Sequence, residues 1–231
     1  AVADGAHGLA LVDITDPAGA RIFRQVKFTG RVEAVAILGN RVYAGTSDNR
    51  VHTLDATSGE RLRSLTLTFP VKRLTPGGGL LYAATSFSVS ILRPTPAGLD
   101  LVGSFFPTLP GGMEVKDVFV ADGVAWVTYP NGVITFDVSD PASPRLLHTG
   151  STGQFGWKQS VLNGTGLLLG AVGRNSTLDS PASDHDLSLY NVTAPDAEPA
   201  LVVTLPTPGI AYSLAVDHGR AYVADGQNGF L

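Results

Sequence analysis

The 231-residue sequence has no cysteine, a single methionine and only four lysines. Without cysteine there is neither a disulfide staple nor thiolate chemistry, and the redox compartment stays open. No apolar run approaches the roughly 18 residues of a membrane-spanning helix, so no transmembrane segment is expected. No stretch has helical spacing with caps. Charge is sparse too: the net value of −4 argues against a dedicated nucleic-acid surface. There is no Gly-x-Ser-x-Gly elbow and no paired metal spacing among His7, His52, His148 and His218. Gly77-Gly78-Gly79 and Gly164-Thr165-Gly166 open no helix that would hold phosphate, and are expected to be hairpin turns. The chain does have apolar residues, at 44% of the total, enough for a large core in one all-β domain.

It also repeats itself. Ala1-Val2-Ala3-Asp4-Gly5 near the start returns as Ala221-Tyr222-Val223-Ala224-Asp225-Gly226 near the end. If Val2, Ala44, Ala83, Val127, Leu169 and Val223 are equivalent, the steps are 42, 39, 44, 42 and 54 residues. A second column lies downstream in Val12-Asp13-Ile14-Thr15-Asp16-Pro17, Leu54-Asp55-Ala56-Thr57-Ser58-Gly59, Phe136-Asp137-Val138-Ser139-Asp140-Pro141 and Tyr190-Asn191-Val192-Thr193-Ala194-Pro195. The third unit departs from it with Leu92-Arg93-Pro94-Thr95-Pro96.

Within a unit the pattern is that of strands. Arg41-Val42-Tyr43-Ala44 and Arg50-Val51-His52-Thr53-Leu54 read as alternating, half-buried strands. The fourth unit predicts strands over 115–121, 124–129, 133–138 and 145–149, with turns at Ala121-Asp122-Gly123, Pro130-Asn131-Gly132 and Ser139-Asp140-Pro141. Four short strands per roughly 40–50 residues is the blade period of a β-propeller. The expected units are 1–30, 31–69, 70–112, 113–153, 154–209 and a partial 210–231.

The phrases Gly8-Leu9-Ala10-Leu11-Val12-Asp13-Ile14-Thr15-Asp16-Pro17, Gly132-Val133-Ile134-Thr135-Phe136-Asp137-Val138-Ser139-Asp140-Pro141 and Ala221-Tyr222-Val223-Ala224-Asp225-Gly226 resemble the LVIVD-type propeller repeat of bacterial and archaeal surface or secreted proteins. The resemblance runs over essentially the whole chain, loosely in the third and fifth units. It implies a repeat scaffold at the cell surface or outside the cell. Val2 to Val223 spans five periods, so a fragment truncated at both ends is expected, from a ring of six to eight blades. The missing strands come from the remainder of a larger polypeptide or, alternatively, from a partner chain.

Aligning the first strands of the units puts Glu33, Lys72, Lys116, Lys158 and Tyr212 in one column, beside Ala34, Arg73, Asp117, Gln159 and Ser213. Three of the four lysines thus share one repeat position. Around a propeller axis they would line a channel mouth and attract an anionic ligand or acidic partner; the alternative is a set of solvated ion pairs. In the long fifth unit, Asp179, Asp184, His185 and Asp186 offer oxygen and imidazole ligands to a divalent cation. Their spacing is not that of a calcium loop, and a polar hairpin cap is the competing reading. Asn163-Gly164-Thr165, Asn175-Ser176-Thr177 and Asn191-Val192-Thr193 fit the glycosylation acceptor pattern. Trp126 and Trp157, with Phe105, Phe106 and Phe155, are expected to fill gaps between blades.

The leading expectation is therefore a non-enzymatic structural or interaction scaffold of a surface or secreted protein, presenting loops to a protein or carbohydrate partner, with no cofactor. One alternative is a hydrolase or lyase acting on an anionic carbohydrate held by Lys72, Lys116 and Lys158. The other is a self-assembling subunit that exchanges strands between copies.

Overall fold

The computed structural model describes residues 1–109, 112–150, 155–162, 166–173 and 185–231. The chain divides into two compact units, Ala1–Phe106 and Pro107–Leu231, and all of its sheets are antiparallel.

The first unit holds three sheets. β1 (Val2–Ala3), β2 (Leu9–Asp13) and β3 (Arg21–Val26) form a three-stranded sheet. β4 (Val32–Leu38), β5 (Arg41–Thr46), β6 (Arg50–Asp55) and β7 (Arg61–Thr66) make the second. β8 (Arg73–Gly77), β9 (Leu80–Ala84), β10 (Val89–Thr95) and β11 (Gly98–Phe105) make the third.

The second unit continues the pattern. It has β12 (Asp117–Ala121), β13 (Val124–Tyr129), β14 (Gly132–Asp137) and β15 (Arg145–Thr149), then β16 (Phe155–Leu162), β17 (Leu167–Gly173), β18 (His185–Asn191) and β19 (Ala200–Pro206). It ends in the hairpin β20 (Ser213–Asp217) and β21 (Arg220–Ala224). The strands expected in the fourth unit are all present within two residues. The first is shorter because Val115 and Lys116 lie before its regular pairing.

Local chemistry explains the hairpins. Asp122 and Gly123 both have positive φ, 49° and 74°, the geometry a two-residue type I′ turn requires. That turn joins Ala121 to Val124 in register. The fifth sheet differs: Leu162 pairs with Leu168, leaving five residues between them. Its register therefore puts Gly170 opposite Ser160, where Val127 faces Val118 in the fourth sheet and Ala44 faces Val35 in the second. Gly170, not Leu169, is the equivalent residue. The five residues between Leu162 and Leu168, where the fourth sheet has two between its paired ends, go with a register moved by one position.

The middle strands are buried on both faces, not half-buried as their alternation implied. Val42, Tyr43 and Ala44 on β5, and Val51, His52, Thr53 and Leu54 on β6, are all buried. Within each unit successive sheets pack face to face, so both sides of a central strand meet side chains. Ala34, Tyr43, Val71, Leu81 and Leu92 fill the space between the second and third sheets. Trp126, Trp157, Leu168, Tyr190 and Val192 do the same between the fourth and fifth. The expected gap-fillers Trp126, Trp157 and Phe105 are buried, but Phe106 is 60% exposed. The Phe155 side chain lies outside the described residues.

A recurrent clamp ties one sheet to the next. The residue before the Glu33/Lys72/Lys116/Lys158/Tyr212 column is always apolar and buried: Val32, Val71, Val115, Trp157 and Ala211. Its backbone amide donates to the preceding sheet in three cases, Val32 to the Gly5 carbonyl at 3.0 Å, Val71 to Thr46 at 3.3 Å and Trp157 to Pro130 at 3.3 Å. The side chain wedges beside it. Val71 presses on Gly45, where an added Cβ would lie 2.5 Å from Val71 Cγ1.

The Asp-x-Thr/Ser phrase is a second recurrent device. Asp13 Oδ1 accepts from the Thr15 amide and hydroxyl at 3.1 and 2.7 Å. Asp137 accepts from Ser139 at 3.0 and 2.6 Å, and Asn191 accepts from Thr193 at 3.0 and 2.9 Å. Asp55 takes the amides of Thr57 and Ser58, both at 2.9 Å. These Asx turns end the third strand and start the connection to the outer one. The outer strand answers with Arg145, 3.0 Å from Asp137, while Arg41 sits 2.8 Å from Asp55. Hydrogen bonds from Thr15, from Ser58 and Thr57, and from Ser139 hold the carboxyls of Asp13, Asp55 and Asp137 below their ordinary range.

Two predictions follow from these devices. Gly45→Ala overpacks the clamp and lowers stability by about 1–3 kcal/mol, while adding Val71→Ala recovers part of that loss; denaturant melts that show no recovery contradict the wedge. Asp137→Ala lowers the melting midpoint more than Asp137→Asn does, because Asn191 already makes the same turn with an amide. Equal losses in the two variants would assign the effect to the Arg145 pair instead.

Candidate functional site

The column picked out from the sequence occupies a common backbone position. Lys72, Lys116 and Tyr212 each lie one residue before the inner strand, and their amides donate to Ala84, Thr128 and Ala224 at 2.8, 2.8 and 2.9 Å. Glu33 and Lys158 fall where the first pairing of their sheets is irregular, between Val32 and Ala34 and between Phe155 and Gln159. The alignment therefore identified a real structural position.

In the first unit the column makes a bridge. Lys72 Nζ donates to Glu33 Oε2 at 2.6 Å, joining the third sheet to the second. Both side chains are partly exposed, so the pair is worth little to stability but it occupies the ammonium. In the second unit Lys116 is exposed, Tyr212 is 44% exposed and Lys158 is partly buried. The adjacent column bridges sheets as well. Gln159 Oε1 accepts from the Ser213 hydroxyl at 2.7 Å and the Leu214 amide at 2.8 Å. Thr128 and Ser160, both buried, share a hydrogen bond of 2.6 Å across the fourth and fifth sheets.

Of the candidate cation ligands, Asp179 and Asp184 lie outside the described residues. His185 begins β18, and its side chain is likewise not described. Asp186 is buried on that strand opposite Pro206. Among the described residues no three acidic or histidine side chains cluster as metal ligands. Of the glycosylation triplets, Asn163 and Asn175 lie outside the described residues, and the Asn191 amide oxygen is engaged in its Asx turn.

The fourth and fifth sheets border a cleft of about 360 Å³ lined by Ala121, Val124, Trp126, Leu162 and Val192, with Asp122 and Thr193 also on its walls. The Trp126 indole N–H is buried with no partner among the described residues. The polar side-chain groups among the described residues of its walls are the Trp126 N–H, the Asp122 carboxylate and the Thr193 hydroxyl.

One buried titratable group escaped the sequence reading, because its isolation from other histidines hid it. His52 is 5% exposed. Its Nδ1 lies 2.7 Å from Ser64 Oγ and its Nε2 3.4 Å from Thr46 Oγ1. Thr46 spends its own proton on the Arg50 carbonyl at 3.1 Å, so Nε2 carries the ring hydrogen and Nδ1 accepts from Ser64. Burial lowers the His52 pKa to about 4, opposed by Asp48 and aided by Arg61 and Arg50. The unfolded chain, titrating near 6.5, then binds more protons than the folded one between pH 6.5 and 4. Stability falls as pH drops through that window, by on the order of 3 kcal/mol in total, and this contribution levels off below it. His52→Gln should flatten that part of the pH–stability curve in urea melts; a curve superimposable on the wild type would contradict the assignment.

Residues 2–22, 112–152 and 208–231 match the LVIVD repeat model. No curated protein matches the chain. Among solved structures, the computationally designed Ika4 protein aligns with a TM-score of 0.55 at 12% identity, over 71% of this chain and 93% of Ika4. Sqt1 of Saccharomyces cerevisiae aligns at 0.60 and 16%, over 88% of this chain and 61% of Sqt1. The designed Ika8 protein aligns at 0.60 and 10%, over 88% and 71%. These neighbours are propeller proteins, and at such identities the likeness is one of fold alone. Three stretches of the chain thus match the LVIVD repeat model, and the chain folds into antiparallel blades like those of β-propeller proteins.

Proposed function

We propose that the chain is a non-enzymatic interaction scaffold of a surface or secreted protein, whose blades hold exposed strands and loops in fixed positions for a protein or carbohydrate partner. The observation that carries this reading is the use made of the inner-strand polar residues. Lys72 is bound to Glu33, and Gln159 to Ser213 and Leu214. These groups connect sheets, and their hydrogen-bonding capacity goes into the frame. The exposed surface then carries recognition, as loops on rigid scaffolds do. The place at the cell surface or outside the cell rests on the resemblance of the repeat phrases alone; no helix among the described residues is long and apolar enough to cross a membrane.

The test is turnover. Incubated with polygalacturonate, the chain should release no new reducing ends and no unsaturated product above the blank. Turnover that Lys116→Ala abolishes, with the melting curve unchanged, would replace the scaffold by a carbohydrate-cleaving enzyme.

A further inference from the structure

The first unit exposes three arginines on the outer strands of its first two sheets. Arg24 on β3 and Arg63 on β7 hold the same place in their sheets, each facing the last third-strand residue before a register shift, Leu11 and Thr53 respectively. Each stem lies over a glycine at the passage from the third to the outer strand of the next sheet. A Cβ at Gly59 would come 2.6 Å from Arg24 Cγ, and one at Gly98 would come 2.9 Å from Arg63 Cβ and 3.0 Å from its Cδ. The device therefore repeats from the first sheet to the second and from the second to the third. On β7, two residues before Arg63, the Arg61 guanidinium stands 4.3 Å over the Phe28 ring, which itself packs on His52 at 4.4 Å. All three arginines are exposed, and none makes an ion pair with a described residue.

The charge balance of the unit points the same way. Residues 1–106 carry eleven Lys and Arg against eight Asp and Glu, or +3, whereas residues 107–231 carry five against twelve, or −7. The chain's modest net charge hides a basic first unit. Guanidinia whose stems are already packed lose less freedom on meeting an anion, and their planar fork suits carboxylates.

We infer that Arg24, Arg61 and Arg63 form a binding surface for a linear acidic polysaccharide bearing carboxylate groups. Arg24 lies on the first sheet and Arg61 and Arg63 on β7 of the second, so a partner reaching from Arg24 to Arg63 crosses from one sheet to the next and cannot satisfy a peptide backbone by strand pairing along its length. A chain with acidic groups repeated along its length and no amide backbone fits that arrangement. The inference rests on the scaffold reading, and it names the partner class and the surface.

The test measures binding of an oligogalacturonate to the full chain at low salt by calorimetry. Wild type should bind, and added salt should weaken the binding. Arg24→Gln/Arg63→Gln keeps much of each stem and removes the charge, so it should weaken binding about tenfold or more. Arg61→Gln alone should weaken it less, and Arg220→Gln in the second unit should leave it unchanged. Melting curves confirm folding, with Arg61→Gln as the gentler probe should the double variant melt early. Absence of wild-type binding, or equal affinity in Arg24→Gln/Arg63→Gln and Arg61→Gln, overturns the inference. So does polyglutamate binding as tightly as the oligogalacturonate, which would reassign the surface to acidic peptides. None of these outcomes depends on turnover, so the scaffold reading stands or falls separately.

Discussion

An amide at the entrance to the inner strand, seen at Val32, Val71 and Trp157, is the contact on which the blades depend. Val32, Val71 and Trp157 each give that amide to a carbonyl of the preceding sheet while burying their side chains beside it. One residue thus satisfies a backbone donor and fills the adjoining space. Sheets that pack face to face need such a fixed point, because apolar contact alone is non-directional and sets no register between them. The demand passes to neighbours: Gly45 lacks a side chain where Val71 sits, and Gly170 lacks one where the Trp157 ring sits.

The outer half of each blade obeys a second constraint. A third strand must stop and hand over to an outer strand that is exposed along almost its whole length, as β3, β7 and β19 are. Asx turns at Asp13, Asp55, Asp137 and Asn191 end that strand with hydrogen bonds made locally. A register shift then interrupts the outer pairing in all five sheets that have one. Shifts of this kind bend an edge strand away from foreign partners. The exposed strands are therefore free to carry side chains for recognition without offering a flat edge for uncontrolled pairing.

Much of this was legible in the sequence, where it depends on local chemistry. Asp122-Gly123 announced its turn, and the Asp-x-Thr/Ser column announced the strand ends, because φ preference and short-range hydrogen bonds act within a few residues. The inner-strand column was found because Lys72, Lys116 and Lys158 are rare residues at one repeat position. Ion pairing within the column was one of the two readings, but that Glu33 meets Lys72, the Gln159–Ser213 bond and the seating of Arg24 on Gly59 were not legible. Each joins residues of different sheets, and no residue states its partner in another repeat. The double-sided burial of β5 was missed for a related reason: polar Thr46 and small Ala44 mimic an exposed face, yet both are fully buried. The fifth sheet's register went astray at its longer hairpin, where repeat arithmetic no longer counts paired residues.

Native-state hydrogen exchange at the amides of Val32, Val71 and Trp157 tests the clamp most directly. If these amides hold sheet to sheet, they exchange only when their unit opens globally, with protection equal to that of the middle-strand amides of β5 and β13. Exchange as fast as that of Phe23 or Leu62 on the exposed outer strands would mean that apolar packing alone holds the blades together. The clamp would then be an incidental contact.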